Sequence, residues 1–386
     1  MSAETTRELS RALSEIAGRT ISAAATHTGA RDAIIEAGLR AGAEEIYIRP
    51  VHSEPTRIDF RINGELCRVA TVPVEYHDSL RNASIALDDG TATRDARELR
   101  GRVPIARDRY VGLHLFLSDS SKGEAVTISF RDPLSGRVGF EMLGMDRAER
   151  ALLKEWTDRL VGQTGESGKG LVLFVGPARV GKTVSLVNTI YPLLEQGVEL
   201  ATSESPNDVD IPGLRQMEVR DEPGYRFADR FRNGAQFGGL DALVIGESTT
   251  SEHAAAALQF ATNHGLVFTT LTAPDAATGF ERFQSMAGET IETPVLVINQ
   301  VLLKRLCEEC REQIAQQPAG TDRPSGFRAV GCPECDGGYK GRCGVFEAYL
   351  YDGDALRRMG RSLADNSARK VAAGTTDYEE LKRLAP

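Results

Sequence analysis

The sequence predicts an α/β fold, in which a mostly parallel sheet with helices on both faces follows a smaller α+β domain and carries a four-cysteine module. Three observations predict it. From Gly170 onward, apolar runs of strand length at 171–175, 199–203, 241–246 and 266–271 alternate with helical patterns, as parallel strands joined by crossover helices do. Gly176-Pro-Ala-Arg-Val-Gly-Lys-Thr183 fits G-x-x-x-x-G-K-[ST], with an apolar run before it and Val184-Ser-Leu-Val-Asn-Thr-Ile190 reading as a helix start after it. Cys307-Glu-Glu-Cys310 and Cys332-Pro-Glu-Cys335 stand 21 residues apart, the spacing of a metal knuckle.

At 386 residues the chain has room for two or three domains and a sizeable core. Charged residues at 26% and apolar residues at 41% are ordinary for a globular protein. A formal net charge of −9 argues against nucleic acid as a bulk electrostatic partner, so none is expected. No run approaches 18 apolar residues, and the polar start Met1-Ser-Ala-Glu-Thr-Thr-Arg-Glu8 lacks the apolar core of a signal peptide. The expectation is a cytoplasmic protein that meets a membrane only through partners.

Taken in order, residues 1–30 read as a helical segment with Leu9, Leu13 and Ile16 on one face. Residues 31–46 carry apolar positions at helical spacing. The period then changes to two. Tyr47-Ile-Arg49 and the run from Arg57 to Gly64 alternate like strands, Asn63-Gly64 signals a tight hairpin, and Glu65–Val69 is the return strand. A polar stretch at 75–99 reads as helical, and 111–117 and 125–131 read as strands. This gives a small α+β domain over 31–139, whose arginines are most simply a solvated face. Residues 140–161 read as a linker running into an amphipathic helix, and 162–386 as the larger domain, with the cysteine module at 305–345.

The chemistry centres on the glycine-rich loop. Gly176, Pro177, Ala178, Arg179, Val180 and Gly181 form a loop whose non-proline N–H groups can turn onto phosphates, and Lys182, Thr183 and Val184 open the helix whose N-terminus adds partial positive charge. Lys182 can reach the β- and γ-phosphates of ATP, and the Thr183 hydroxyl is placed for Mg²⁺. Gly162-Gln-Thr-Gly-Glu-Ser-Gly-Lys-Gly170 is a decoy, with Gly170 where Ser or Thr is needed. Leu240-Asp-Ala-Leu-Val-Ile-Gly-Glu247 has the form of a Walker B strand, and Glu247 could orient Mg²⁺-bound or attacking water; an ordinary solvated glutamate is the competing reading. Glu204 also ends an apolar strand, a weak signal by itself.

The cysteines are more specific. Cys307, Cys310, Cys332 and Cys335 match a C-x₂-C…C-x₂-C zinc site, and four thiolates close a tetrahedral shell, so the Zn²⁺ would be structural. Redox dithiols are the competing reading, disfavoured because neither pair precedes a helix in a βαβ unit. Cys67 and Cys343 are unassigned. The six histidines show no metal spacing; His264, before a strand near the working edge, is the one to watch.

With these motifs in this order, the chain resembles the secretion ATPases of type II secretion and type IV pilus assembly, the GspE/PilB family, over roughly residues 30–350. Residues 172–183 are similar to its strand and P-loop. Thr202-Ser-Glu-Ser-Pro206 with Ile211–Gln216 is similar to its Asp box, which places Glu204 on the catalytic glutamate. Asp241–Glu247 is similar to its Walker B strand, and His264–Ala276 to its His-box strand. The resemblance implies a RecA-like ATPase domain, a PAS-like small domain and a hexameric ring in which each small domain donates arginines to a neighbour's ATP. It also implies a polytopic inner-membrane platform protein as partner; the zinc module is more like assembly than retraction motors.

The departures are specific. Ser205 replaces an aspartate, Ser248-Thr249 stands for Ile-Arg, and Thr272 falls where the His-box histidine would be. His114 and Ser129 occupy the arginine-finger positions, with Arg131 two residues off register and Arg102 a candidate substitute. An arginine finger is worth on the order of 10³ or more in rate. Two readings therefore stand: a motor that hydrolyses ATP, and an ATP-binding, weakly hydrolysing structural or regulatory paralogue. A conjugation or DNA-uptake motor of the same superfamily is a third.

Overall fold

The structure is a computed structural model. It describes residues 27–51, 54–62, 65–87, 97–106, 109–131, 138–161, 168–204, 211, 213–219, 239–288, 290–314 and 326–383. The expected helix around Leu9 and Leu13, the Asn63-Gly64 turn, Ser205 and most of the decoy loop lie outside them. The chain divides into two units, Met1–Pro133 with Gly331–Tyr339, and Leu134–Val330 with Lys340–Pro386.

The first unit holds α1 (His27–Arg40), β1 (Glu45–Val51), β2 (Glu54–Ile62), β3 (Glu65–Val72), α2 (His77–Ile85), β4 (Glu98–Ala106), β5 (Arg109–Ser120) and β6 (Gly123–Arg131). Its six strands form one antiparallel sheet in the order β3-β2-β1-β6-β5-β4. Alternate residues such as Ile46, Ile48, Ile58, Phe60, Leu113, Leu115, Val126 and Ile128 build a core with Ile34, Ile35 and Leu80 from the helices. Helical spacing was expected to run to residue 46, but α1 stops at Arg40. Gly42 takes a left-handed φ of 65°, and Ala43 N–H bonds back to the Gly38 carbonyl at 2.9 Å, a Schellman ending that a side chain with a Cβ resists. The stretch expected to be helical through 99 ends its helix at Ile85, and β4 follows from Glu98. Leu99 opposite Leu115 and Val103 opposite Val111 put alternate apolar groups into the sheet.

The other face of this sheet is polar. Asp59, fully buried, lies 2.7 Å from Arg57 Nε and 3.5 Å from Arg49 Nη1, while Arg61 Nε donates to Glu45 at 2.8 Å. Arg49 also stacks over the Tyr47 ring at 4.3 Å. The arginines are thus ordered by carboxylates and an aromatic ring rather than simply solvated. Asp59→Ala is expected to destabilise this unit by about 1–3 kcal/mol in urea unfolding, below the usual cost of breaking a buried pair, because both arginines keep a third of their surface in water.

In the second unit, α3 (Phe140–Leu143) and α4 (Arg147–Asp158) lead to an eight-stranded sheet. Its strands are β7 (Gly170–Gly176), β8 (Leu200–Glu204), β9 (Arg215–Glu218), β10 (Ala242–Glu247), β11 (Leu266–Thr272), β12 (Val295–Leu306), β15 (Tyr339–Tyr351) and β16 (Leu356–Met359). A two-stranded ribbon, β13 (Glu312–Gln313) with β14 (Phe327–Arg328), precedes β15. The order β12-β7-β11-β10-β8-β9 is parallel throughout, and β16 returns antiparallel to β15. Every residue of β7 is buried, as a strand covered on both faces requires. Leu171, Leu173 and Val175 face α6 (Ser251–Asn263) and α7 (Ala276–Ala287), while Val172 and Phe174 face α5 (Lys182–Glu195) and Trp156 of α4. The helices α8 (Leu363–Ala372) and α9 (Tyr378–Lys382) close the chain, with Leu363 N–H donating to Glu347 at 2.9 Å and Asn366 reaching buried Glu149 at 3.0 Å.

Candidate functional site

Four parallel strands end side by side at the carboxyl edge of the sheet, where open α/β folds bind ligands. β7 ends at Gly176, β11 at Thr272, β10 at Glu247 and β8 at Glu204. Register fixes their neighbours: Thr272 pairs with Gly176, and Glu247 with Thr270 after an irregularity that follows Ile245. The loop from Gly176 then turns into α5, which starts at Lys182. Gly181 caps that helix with φ 85°, and a Cβ on Gly176 would stand 2.3 Å from the Gln300 carbonyl, so both glycines are required by backbone geometry. Gln300 Nε2 donates to the Val180 carbonyl at 2.7 Å and ties the loop to β12.

Lys182 is buried, and its ammonium donates to the Gly176 carbonyl at 3.1 Å, the Pro177 carbonyl at 2.9 Å and Thr272 Oγ1 at 3.0 Å. Three acceptors match its three donors. Thr272 Oγ1 in turn donates to Glu247 Oε1 at 2.6 Å, and Arg282 of α7 holds the Thr272 carbonyl at 3.0 Å. Burial pulls the Lys182 amine below its ordinary range, opposed by the charge of Glu247. His253 Nδ1–H donates to the Glu247 carbonyl at 3.2 Å, and burial lowers the basicity of the ring. A Cβ on Gly246 would meet Glu204 Cγ at 3.0 Å, which places Glu204 against the residue before Glu247. The structure thus brings Lys182, Glu247 and Glu204 to one edge, with Thr183 and Val184 in the first turn of α5.

Arg179 is the one non-glycine among the described residues with a left-handed backbone, at φ 64°. That conformation costs an L-residue about 1–2 kcal/mol, and such strain concentrates at functional loops. Arg179→Gly is expected to raise the melting temperature of the nucleotide-free chain by a few degrees, roughly the relief of about 1 kcal/mol.

The residues fit a nucleotide. The donors of the loop face no side-chain carboxylate of the first helical turn, since α5 carries no acid there, and Lys182 rests on neutral acceptors that a phosphate oxygen can outcompete. The cysteines fit a metal. The sulfur atoms of Cys307, Cys310, Cys332 and Cys335 all lie within 4.8 Å of one another, with Cys332 and Cys335 3.6 Å apart. Tetrahedral thiolates at the Zn–S distance stand about 3.8 Å apart. None of the six cysteines forms a disulfide. Cys343 is buried among Val301, Leu303 and Val345 instead, and burial pushes its thiol up.

His114 and Ser129 pair across β5 and β6, both buried at 4% and 3% exposure, so neither position presents a cation. The side chains of Arg102 and Arg131 lie outside the described residues. His264 is exposed at the end of α6, stacked near Phe260. Sequence reasoning missed the bridge through Thr272, the clamp by Gln300 and the hold by Arg282. A buried amide pair, Asn299-Gln300, inside the apolar run 295–303 was the available signal for the second.

A family model described as "Type II/IV secretion system protein" matches residues 24–383. The chain belongs to this family. Type II/IV secretion relatives include the type IV pilus assembly ATPase PilB of Acinetobacter baylyi, 27% identical over 90% of this chain and 64% of that protein. Another is the type II secretion system protein HxcR of Pseudomonas aeruginosa, 28% identical over 92% of this chain and 76% of that protein. The chain thus spans less than two thirds of the first of these relatives. Among solved structures, the Legionella pneumophila ATPase DotB has the same fold, with TM-score 0.60 at 16% identity over 92% of this chain and 94% of that one. The pilus retraction motor PilT with bound ADP has TM-score 0.52 at 16% identity, over 92% and 96% of the two chains. Among the described residues no helix is long and apolar enough to cross a membrane.

Proposed function

We propose that the chain is an ATP-hydrolysing motor of type IV pilus assembly or type II secretion, with a RecA-like ATPase domain working in a hexameric ring. It would act at the cytoplasmic side of the inner membrane, through a polytopic platform protein. The observation that carries this reading is the hydrogen-bonded set of Lys182, Thr272 and Glu247 at the mouth of the loop, with Glu204 on the next strand. ATP supplies the phosphoanhydride that is cleaved, and Mg²⁺ neutralises charge on its oxygens. Lys182 and the backbone N–H groups of 178–181 hold phosphate, and Thr183 offers its hydroxyl to the metal. Glu247 and Glu204 orient water, positioning being most of what phosphoryl transfer asks of a protein. Cys307, Cys310, Cys332 and Cys335 would hold a structural zinc that closes the ribbon of β13 and β14.

One observation favours the weakly hydrolysing paralogue. His114 and Ser129, at the positions where the resemblance puts trans arginines, are buried neighbours within the sheet of their own unit. The test is steady-state ATP hydrolysis by the zinc-replete chain, alongside its oligomeric state by light scattering. Turnover that depends on Lys182 and rises on ring formation upholds the motor; tight ATP binding without turnover in an assembled ring overturns it in favour of the scaffold.

A further inference from the structure

We infer that Thr272 is a positioning residue for hydrolysis, its hydroxyl orienting the Glu247 carboxylate and, in the nucleotide-free site, competing with phosphate for the Lys182 ammonium. The inference rests on the hydrolysis reading above. The direction of each hydrogen bond follows from chemistry. An ammonium only donates and a carboxylate only accepts, so the single Thr272 proton points to Glu247 Oε1 at 2.6 Å, and a lone pair takes the Lys182 bond at 3.0 Å. The bond to the carboxylate is short and charge-assisted.

The hydroxyl is held from both ends of its residue. Thr272 pairs with Gly176 in the sheet, and Arg282 Nη1 donates to its carbonyl at 3.0 Å. Its β-branched side chain has few rotamers to choose from. Glu247, by contrast, is the exposed last residue of β10 and has rotamers to lose. The two bonds of Thr272 differ in fate. The bond to Glu247 involves no group that phosphate replaces, whereas the bond to Lys182 is one of three that compete with phosphate for the ammonium's donors. Removing the hydroxyl therefore changes turnover and affinity in opposite senses, which loss of packing does not do.

The test compares full-length Thr272→Val and Thr272→Ser with the wild type for kcat, KM and ATP affinity by competition with a fluorescent nucleotide. Thr272→Val is expected to lower kcat about 10- to 100-fold while tightening ATP binding by about threefold to tenfold. Thr272→Ser, which keeps the hydroxyl, is expected to recover most of the turnover and the wild-type affinity. Thr272→Ala stands in if the valine chain does not fold. The inference is overturned if valine keeps kcat within about twofold of wild type, if serine falls as far as valine, or if valine weakens ATP binding. Wild-type chain without Lys182-dependent turnover would sink the hydrolysis reading by itself; the affinity comparison then decides whether Thr272 competes for the lysine.

Discussion

Replacing Lys182 by alanine is expected to remove ATP turnover and to weaken nucleotide binding by roughly 100-fold or more, the loss of charge-assisted bonds worth about 1.5–3 kcal/mol each. Glu247→Gln is expected to do something different: to keep ATP affinity within several-fold and still lower kcat by about 10²-fold or more. The contrast follows from their places. Lys182 lies under the loop, on the carbonyls of Gly176 and Pro177, where only phosphate can bring a better acceptor. Glu247 sits at the end of β10, a neighbour of the phosphate loop through Thr272 rather than a part of it. The nucleotide-free chain has little stake in the lysine. Its three hydrogen bonds are offset by the burial of a charge, so Lys182→Ala is expected to shift the melting temperature by no more than about 2–4 °C. Nucleotide binding and kcat measured side by side on the two variants check this; equal loss of binding in both would mean that Glu247 holds the nucleotide and does not act on the water.

The same contrast explains what could be read before the structure and what could not. Lys182, Thr183 and the two cysteine pairs belong to short patterns whose spacing is set by one loop turning once, so local sequence carries them. Glu247 was legible because a buried strand must end somewhere, and an acid at its end is conspicuous after an apolar run; Glu204 was a weak signal by itself and stood out only through the family resemblance. Thr272 meets Lys182 across 90 residues and Gln300 meets Val180 across 120. No local period records such meetings; only the order of strands does. The end of α1 was legible in principle, since Gly42 is a C-cap signal, but the apolar spacing beyond it overrode the glycine. β4 escaped because Gly101 and Pro104 interrupt its alternation. The polar face around Asp59 escaped for another reason. Its arginines look solvated in sequence, and only the pairing of β1 with β2 brings Arg49, Arg57 and Asp59 together.

Stripping the metal should unfold one module and spare the other site. The chain as purified is expected to carry about one zinc, lost on Cys310→Ser or Cys332→Ser and retained on Cys343→Ser, because Cys343 lies buried among Val301, Leu303 and Val345. Structural zinc contributes on the order of 10–16 kcal/mol to binding in small modules, and the short ribbon of β13 and β14 has only two paired positions to set against its loss. Chelation is therefore expected to expose the segment between Cys307 and Cys335 to protease. β12 leads directly into that segment, yet its first half is held independently. Val295, Leu296, Val297 and Ile298 are fully buried in the two cores that flank the sheet, and they pair with Leu171–Phe174 of β7. Gln300 follows at once and still reaches Val180. Opening at Cys307 thus has to travel past Val301 and Leu303 before it loosens the loop, and the apolar contacts of those two residues oppose it. ATP affinity of the chelated chain is expected to stay within about threefold of the zinc-loaded chain while cleavage between residues 307 and 335 accelerates. Parallel loss of both would mean that zinc holds the phosphate loop through β12, and that the two sites form one cooperative unit.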